Sequence, residues 1–232
     1  MPAQKKLAFA LDYANLIAAE QGARQVCASA GVLKVGLELY LRAGAAAVDM
    51  ARDCGSEVFL DLKLHDIPKT VERAVAVVAD LGVRYLTVHT QGGPRMMECA
   101  AQMAEKKGGI TVLGVTVLTS LESADLRDTG YEMAPSSLAQ RLARLAKESG
   151  LGGLVCSAQE VAEVRTAVGK EMVLVTPGIR AFGDDRGDQK RVVDPVAALR
   201  SGSDLLVVGR PIRDAQDPAA AAAAFAQLIE SA

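Results

Sequence analysis

The sequence predicts an α/β fold, a single (β/α)8 TIM barrel over residues 1–232, taken as one catalytic domain. Three observations carry this. Eight short apolar runs alternate with longer helical stretches, as in a parallel sheet wrapped by crossover helices. A length of 232 residues suits one such barrel. The first apolar run ends in Asp12-Tyr13-Ala14-Asn15, not in the glycine-rich loop that a dinucleotide-binding open sheet would carry there.

In chain order, the apolar run 7–11 is the first strand, followed by a helix over 14–29. The second strand, 32–37, leads to a helix near 42–53, and the third, Glu57–Leu64, to a helix over 70–80. Tyr85–His89 is the fourth strand, before a helix over 94–106. The runs 110–118 and 154–156 are the fifth and sixth, with helices over 136–148 and 158–167. The seventh strand, 172–176, opens into a long polar loop before a helix over Pro195–Arg200. Leu205–Val208 is the eighth. The terminal helix runs through six alanines, 219–224, to residue 229, and alanine is the strongest helix former. Nothing resembling a linker divides the chain.

Composition narrows the function classes. Half of the residues are hydrophobic, enough for a sizeable core, but only 3% are aromatic and tryptophan is absent. With a net charge of −2 and no long basic run, this speaks against a nucleic-acid or anionic-membrane surface. Cys27, Cys54, Cys99 and Cys156 are scattered without CxxC spacing, so they read as small buried hydrophobes in a reducing cytosol. The basic start, Met1 to Lys6, precedes an apolar run of five residues, too short for a signal peptide or a membrane span. The expectation is a soluble cytoplasmic protein.

Active sites of such barrels lie at the C-terminal ends of the strands. Those ends read Asp12, Lys34, Asp61 with Lys63, His89, Thr119, Ser157, Thr176-Pro177-Gly178 and Gly209-Arg210. A purely structural barrel has no need of so many polar groups there. Strand side chains alternate with period two. Leu60, Leu62 and Leu64 therefore face the helices, and Asp61 and Lys63 point into the barrel mouth. On the second strand Val32, Lys34 and Gly36 share the inward face, and Leu33, Val35 and Leu37 face the helices. The predicted cluster is Asp12, Lys34, Asp61 and Lys63, with His65 and Asp66 where strand gives way to loop. Buried charges are costly unless paired. Alternating signs let each member stay ionised, each close pair contributing about 4 kcal/mol at about 4 Å in an effective dielectric near 20.

At the other end of the chain, Gly209 lets a backbone N–H approach an anion and Arg210 adds a planar cationic fork, at the usual phosphate position of these barrels. The loop after Arg180, residues 181–191, is polar and twice interrupted by glycine, as suits a lid.

His65 and His89 are the chain's two histidines. There is no GxSxG elbow, no Cys–His pair suggested by spacing and no HExxH. His89 reads as a hydrogen-bonded barrel histidine. Asp12, Asp61 and Asp66 are ligand types for a hard divalent cation, but the Lys34 ammonium occupies the place such an ion would want. A lysine between carboxylates stays protonated and can donate a proton. It also stabilises a carbanion developing beside it, which suits loss of carbon dioxide followed by protonation.

The segment Asp61-Leu62-Lys63-Leu64-His65-Asp66-Ile67-Pro68-Lys69-Thr70 resembles the signature of the orotidine 5'-monophosphate decarboxylase family. Phe9-Ala10-Leu11-Asp12, Lys34-Val35-Gly36, Val117-Leu118-Thr119-Ser120, Thr176-Pro177-Gly178-Ile179-Arg180 and Val208-Gly209-Arg210-Pro211-Ile212 resemble further family motifs in the same order. Leu64 stands where the family often has an aromatic, and Lys69 where it often has asparagine.

The resemblance implies that Lys63 protonates pyrimidine C6 and that Asp61 sits against the substrate carboxylate. It implies that Lys34 bridges the aspartates and touches the ribose, and that Asp12 binds a ribose hydroxyl. Thr119 would contact the pyrimidine edge. Gln189, Gly209 and Arg210 would hold phosphate, with Arg180 at the base of the loop. The family is homodimeric, which implies that Asp66, Ile67 and Thr70 enter the site from a neighbouring subunit. It uses no cofactor or metal, and the product would be uridine 5'-monophosphate. Two alternatives remain at this stage. Magnesium-dependent sugar-phosphate decarboxylases and synthases of the same barrel share DxKxxD but carry Glu where this chain has Lys34. A non-catalytic phosphate-binding barrel would not need a lysine among carboxylates.

Overall fold

The computed structural model of the chain describes residues 2–180 and 193–232. Eight parallel strands close into a barrel in sequence order, each pairing with the next and the eighth with the first. They are β1 (Leu7–Ala10), β2 (Val32–Gly36), β3 (Glu57–Leu64), β4 (Tyr85–His89), β5 (Thr111–Val115), β6 (Gly153–Val155), β7 (Val173–Thr176) and β8 (Leu205–Val208).

Around them run α1 (Leu16–Val26), α2 (Leu37–Ala43), α3 (Ala45–Asp53), α4 (Pro68–Asp80), α5 (Pro94–Lys107), α6 (Ser123–Asp128), α7 (Pro135–Glu148), α8 (Val161–Val168), α9 (Pro195–Arg200), α10 (Arg210–Arg213) and α11 (Pro218–Glu230). Their ends follow from local chemistry. Asn15, Asp194 and Asp217 each cap a helix by accepting from its first-turn N–H groups. Proline occupies the first turn of α4, α5, α7, α9, α10 and α11, where its missing N–H costs no helical bond.

Period-two alternation divides the core in two. Ala8, Ala10, Val32, Phe59, Tyr85, Leu113, Val175, Leu205 and Val207 fill the barrel interior, with Phe59 and Tyr85 meeting edge to face at 6.1 Å between ring centres. Alternate residues such as Leu33, Val35, Leu60, Leu86 and Leu206 pack outward against the helices, where Leu62 and Leu64 join them. The inward face of each strand therefore continues upward into the mouth: Val32 to Lys34, Phe59 to Asp61, Tyr85 to Thr87, Leu113 to Val115.

Several expectations need correction. The helix near 42–53 is two helices, α2 and α3, broken at Gly44, whose φ of 57° is left-handed. Leu37 is not a helix-facing strand residue; it opens α2 and is 53% exposed. β5 ends at Val115, so Thr119 lies on a loop. The short helices α6 and α10 have no counterpart among the expected helices, since fewer than two turns leave no clear periodicity. Cys99 and Cys156 are buried, but Cys27 and Cys54 are half-exposed. No helix among the described residues is long and apolar enough to cross a membrane.

Candidate active site

At the C-terminal mouth of the barrel lies a cavity of about 310 Å³. Asp12, Lys34, Asp61, Lys63, Thr119, Arg180, Gly209 and Arg210 all line it. The volume falls at the lower end for small-molecule sites. The lining combines the charged cluster and the arginines with the apolar side chains of Val115, Val117, Val155, Val207 and Phe59.

The cluster is a chain of alternating charge. Lys34 Nζ donates to Asp12 Oδ1 at 3.1 Å and lies 3.9 Å from Asp61 Oδ2. Lys63 Nζ donates to both Asp61 oxygens at 2.9 Å. Lys34 is nearly enclosed, its side chain 11% exposed, while Asp12 at the outer end is 52% exposed. Gly36 leaves room for this arrangement: a Cβ there would lie 3.1 Å from Lys34 Nζ and 3.4 Å from Asp12 Oδ1. Burial alone would push the Asp61 carboxyl up. The charges of Lys34 and Lys63, with hydrogen bonds from Lys63 and Thr87, outweigh burial and hold it below the ordinary carboxylate range.

Lys63 was expected between two carboxylates. Among the described residues it has one, Asp61. Asp66 is exposed, and its Oδ1 accepts from the Ile67 N–H at 2.6 Å. Ile67, 66% exposed, and Thr70, also exposed, likewise stay outside the cavity lining. Gln189 lies outside the described residues.

Lys63 is also the one non-glycine residue with a left-handed backbone among those described, at φ 50°. The strain accompanies a bulge. Leu60 pairs with Leu86 and Leu64 with Val88, so residues 61–63 face Thr87 alone.

After β7, Gly178 takes a φ of 78° beside Pro177, and Arg180 is buried with Nη1 donating to the Ile179 carbonyl at 2.9 Å. Gly209 precedes α10, which carries Arg210 and Arg213. Arg213 also lines the cavity. Its Nη1 donates to the Asp12 carbonyl at 2.8 Å, and Nε and Nη2 hold Asp214 at 2.6 and 3.0 Å. Sequence reading missed it because α10 was not foreseen. Cys156 lines the cavity as well, but burial pushes its thiol up to about 12, which leaves it uncharged and a poor nucleophile.

His89 departs from expectation too. Its Nδ1 is buried with no hydrogen-bond partner among the described residues, and its ring lies 5.6 Å from that of His65. Burial, then His65 and Lys63, lower its proton affinity against the pull of Asp61. Unfolded histidine binds a proton near its ordinary value of about 6.5, where folded His89 resists it, so the unfolded state takes up more protons in acid. Stability should therefore fall as the pH drops below about 6.5. The melting temperature of the wild type is expected to decline between about pH 7 and about pH 5, and that of His89→Gln to decline less. Parallel declines would assign that pH dependence to other groups.

The family model described as "Orotidine 5'-phosphate decarboxylase / HUMPS family" matches residues 5–225. Among curated relatives, the orotidine 5'-phosphate decarboxylase of Anaeromyxobacter sp. (strain K) is 51% identical over 226 residues, 97% of this chain and 99% of that protein. The protein of the same name from Marinomonas sp. (strain MWYL1) is 46% identical over 95% of this chain and 94% of its own length. The crystal structure of orotidine 5'-phosphate decarboxylase from Lactobacillus acidophilus superposes with a TM-score of 0.83 at 33% identity, covering 97% of this chain and 99% of that one.

Proposed function

This chain belongs to the orotidine 5'-phosphate decarboxylase / HUMPS family, and on that premise we propose that it converts orotidine 5'-monophosphate to uridine 5'-monophosphate and carbon dioxide without a metal or other cofactor. The observation that carries the reading is Lys34 Nζ, held 3.1 Å from Asp12 and 3.9 Å from Asp61. An ammonium fills the space between the carboxylates that a divalent cation would need. This favours the cofactor-free branch over the magnesium-dependent sugar-phosphate enzymes, in agreement with the names of the relatives.

The roles follow from position. Arg180, Gly209 and Arg210 line the cavity and bind the phosphate, a role the family resemblance extends to Gln189. Asp12 and Lys34 take the ribose hydroxyls, and Thr119 meets the pyrimidine edge. The base then lies over Asp61 and Lys63. The bond from C6 to the carboxylate breaks, its electron pair stays on C6, and carbon dioxide leaves. Lys63 Nζ gives a proton to C6 and recovers one from solvent. The fixed positive charge beside C6 stabilises the developing carbanion, and the apolar wall limits water. Asp61, close to the substrate carboxylate, disfavours the ground state.

The site is completed in a homodimer. Ile17, Leu37, Leu41, Ile67 and Val77 are large apolar side chains, each more than half exposed, on or beside α1, α2 and α4. These elements follow β1, β2 and β3, which carry the charged cluster. Such residues suit a partner surface. Asp66, Ile67 and Thr70 would be carried on it into the neighbouring site.

The test is the ultraviolet change on adding orotidine 5'-monophosphate to purified protein in excess chelator. Turnover at the same rate with and without chelator is the expected result. Strict dependence on added magnesium would overturn the cofactor-free reading.

A further inference from the structure

We infer that Thr87 is a positioning residue for the reaction, its single hydroxyl locking the Asp61 carboxylate and the Lys63 backbone into one fixed relation. The inference rests on the roles proposed above for Asp61 and Lys63.

Thr87 lies on the inward face of β4, one step above Tyr85, and is fully buried. It does not line the cavity, so it acts through its neighbours. The bulge in β3 explains what it does. The regular register between β3 and β4 is broken between Leu60 and Leu64, and there the Lys63 N–H meets a side chain. Thr87 Oγ1 accepts that N–H at 2.9 Å. The same oxygen lies 2.9 Å from Asp61 Oδ1. An ionised carboxylate only accepts, so the hydroxyl proton goes to Asp61.

Both halves of the hydroxyl are therefore committed. One fixes the carboxylate that Lys63 Nζ and Lys34 approach. The other holds Lys63 in its left-handed backbone conformation, from which Nζ reaches back to both oxygens of the residue two positions earlier. Valine at this position keeps the branching and nearly the volume but can do neither. Asp61 would lose a hydrogen bond that favours its anion, and a strained backbone N–H would be buried without a partner. The proton donor and the carboxylate would then drift relative to the bound base.

The test compares Thr87→Val and Thr87→Ser with the wild type in kcat, KM and the pH profile of kcat, with Lys63→Ala measured alongside. Thr87→Val is expected to lose between about tenfold and about 100-fold in kcat, with KM within about threefold of wild type because the phosphate and ribose contacts are untouched. Thr87→Ser, which keeps the hydroxyl, should return to within about threefold of wild type in kcat. The acid limb of the profile should move to higher pH in Thr87→Val, a change that loss of packing alone would not produce.

Wild-type kcat in Thr87→Val while Lys63→Ala is inactive would overturn the positioning role and leave the roles of Asp61 and Lys63 standing. Full activity in Lys63→Ala would overturn those roles, and this inference with them. Equal losses in Thr87→Ser and Thr87→Val would assign the effect to shape and overturn the hydroxyl's part. Should Thr87→Val fail to fold, Thr87→Ala serves in its place, and T87A turning over as fast as T87S overturns the inference.

Discussion

Lys63→Ala is expected to lower turnover of orotidine 5'-monophosphate by about 10,000-fold or more while nucleotide binding stays measurable. At about 1.36 kcal/mol per decade that is roughly 5.4 kcal/mol of barrier, a share within reach of one group acting both as proton donor and as fixed positive charge. Binding should survive because Arg180, Gly209 and Arg210, the residues proposed to hold phosphate, follow β7 and β8 and are separate from β3, which carries Lys63. The fold survives because Asp61 keeps Lys34 at 3.9 Å and the Thr87 hydroxyl at 2.9 Å, so its carboxylate is not left buried without partners. Removing the Lys63 charge should raise the Asp61 pKa, since that charge is one of the influences holding it down. Equilibrium binding of the product nucleotide and single-turnover kinetics separate the two effects. Near-normal turnover would remove Lys63 from the proton-donor role.

The barrel and most of the charged cluster were legible because both rest on short-range periodicity. Eight apolar runs spaced by helical stretches specify the strand count, and alternation on β2 and β3 sends Lys34 and Asp61 inward without knowledge of any neighbour. Alternation still served at Lys63, but only because the bulge and the left-handed backbone return its side chain to Asp61. Neither feature has a mark in the sequence, since lysine does not favour positive φ. Thr87 was open to the same alternation, as the residue between Tyr85 and His89 on the inward face of β4. Its role is not legible there, because its partners are set by the register between β3 and β4, a property of two strands together. Arg213 escaped for a different reason: its place depends on a four-residue helix, α10, too short to show a period. His89 shows the limit of composition rules. A barrel histidine is ordinarily hydrogen-bonded, and this one has a buried nitrogen without a partner among the described residues.

A mixture of two inactive variants, Lys63→Ala and Asp66→Ala, is expected to regain activity. In this chain Asp66 is exposed and engaged with its own neighbour's N–H, while Lys63 has Asp61 as its carboxylate. In the proposed symmetric dimer, Asp66 of each subunit would supply a second carboxylate to the other's Lys63, so each subunit would complete the other's site. In a mixed dimer the subunit bearing Asp66→Ala still has Lys63, and its partner bearing Lys63→Ala still has Asp66. One site is then intact and the other lacks both groups. With equal amounts and free exchange, half of the dimers are mixed and half of their sites work, so about a quarter of wild-type activity should return. If Asp66 served the site of its own chain, every site in the mixture would lack one group and the mixture would stay inactive. Differently tagged subunits, recovered as mixed dimers by affinity capture, establish that exchange has occurred. Inactivity of those captured dimers would refute a shared site, and recovery of about half of wild-type activity in them, or about a quarter in the mixture, would place Asp66 across the interface from the lysine it serves.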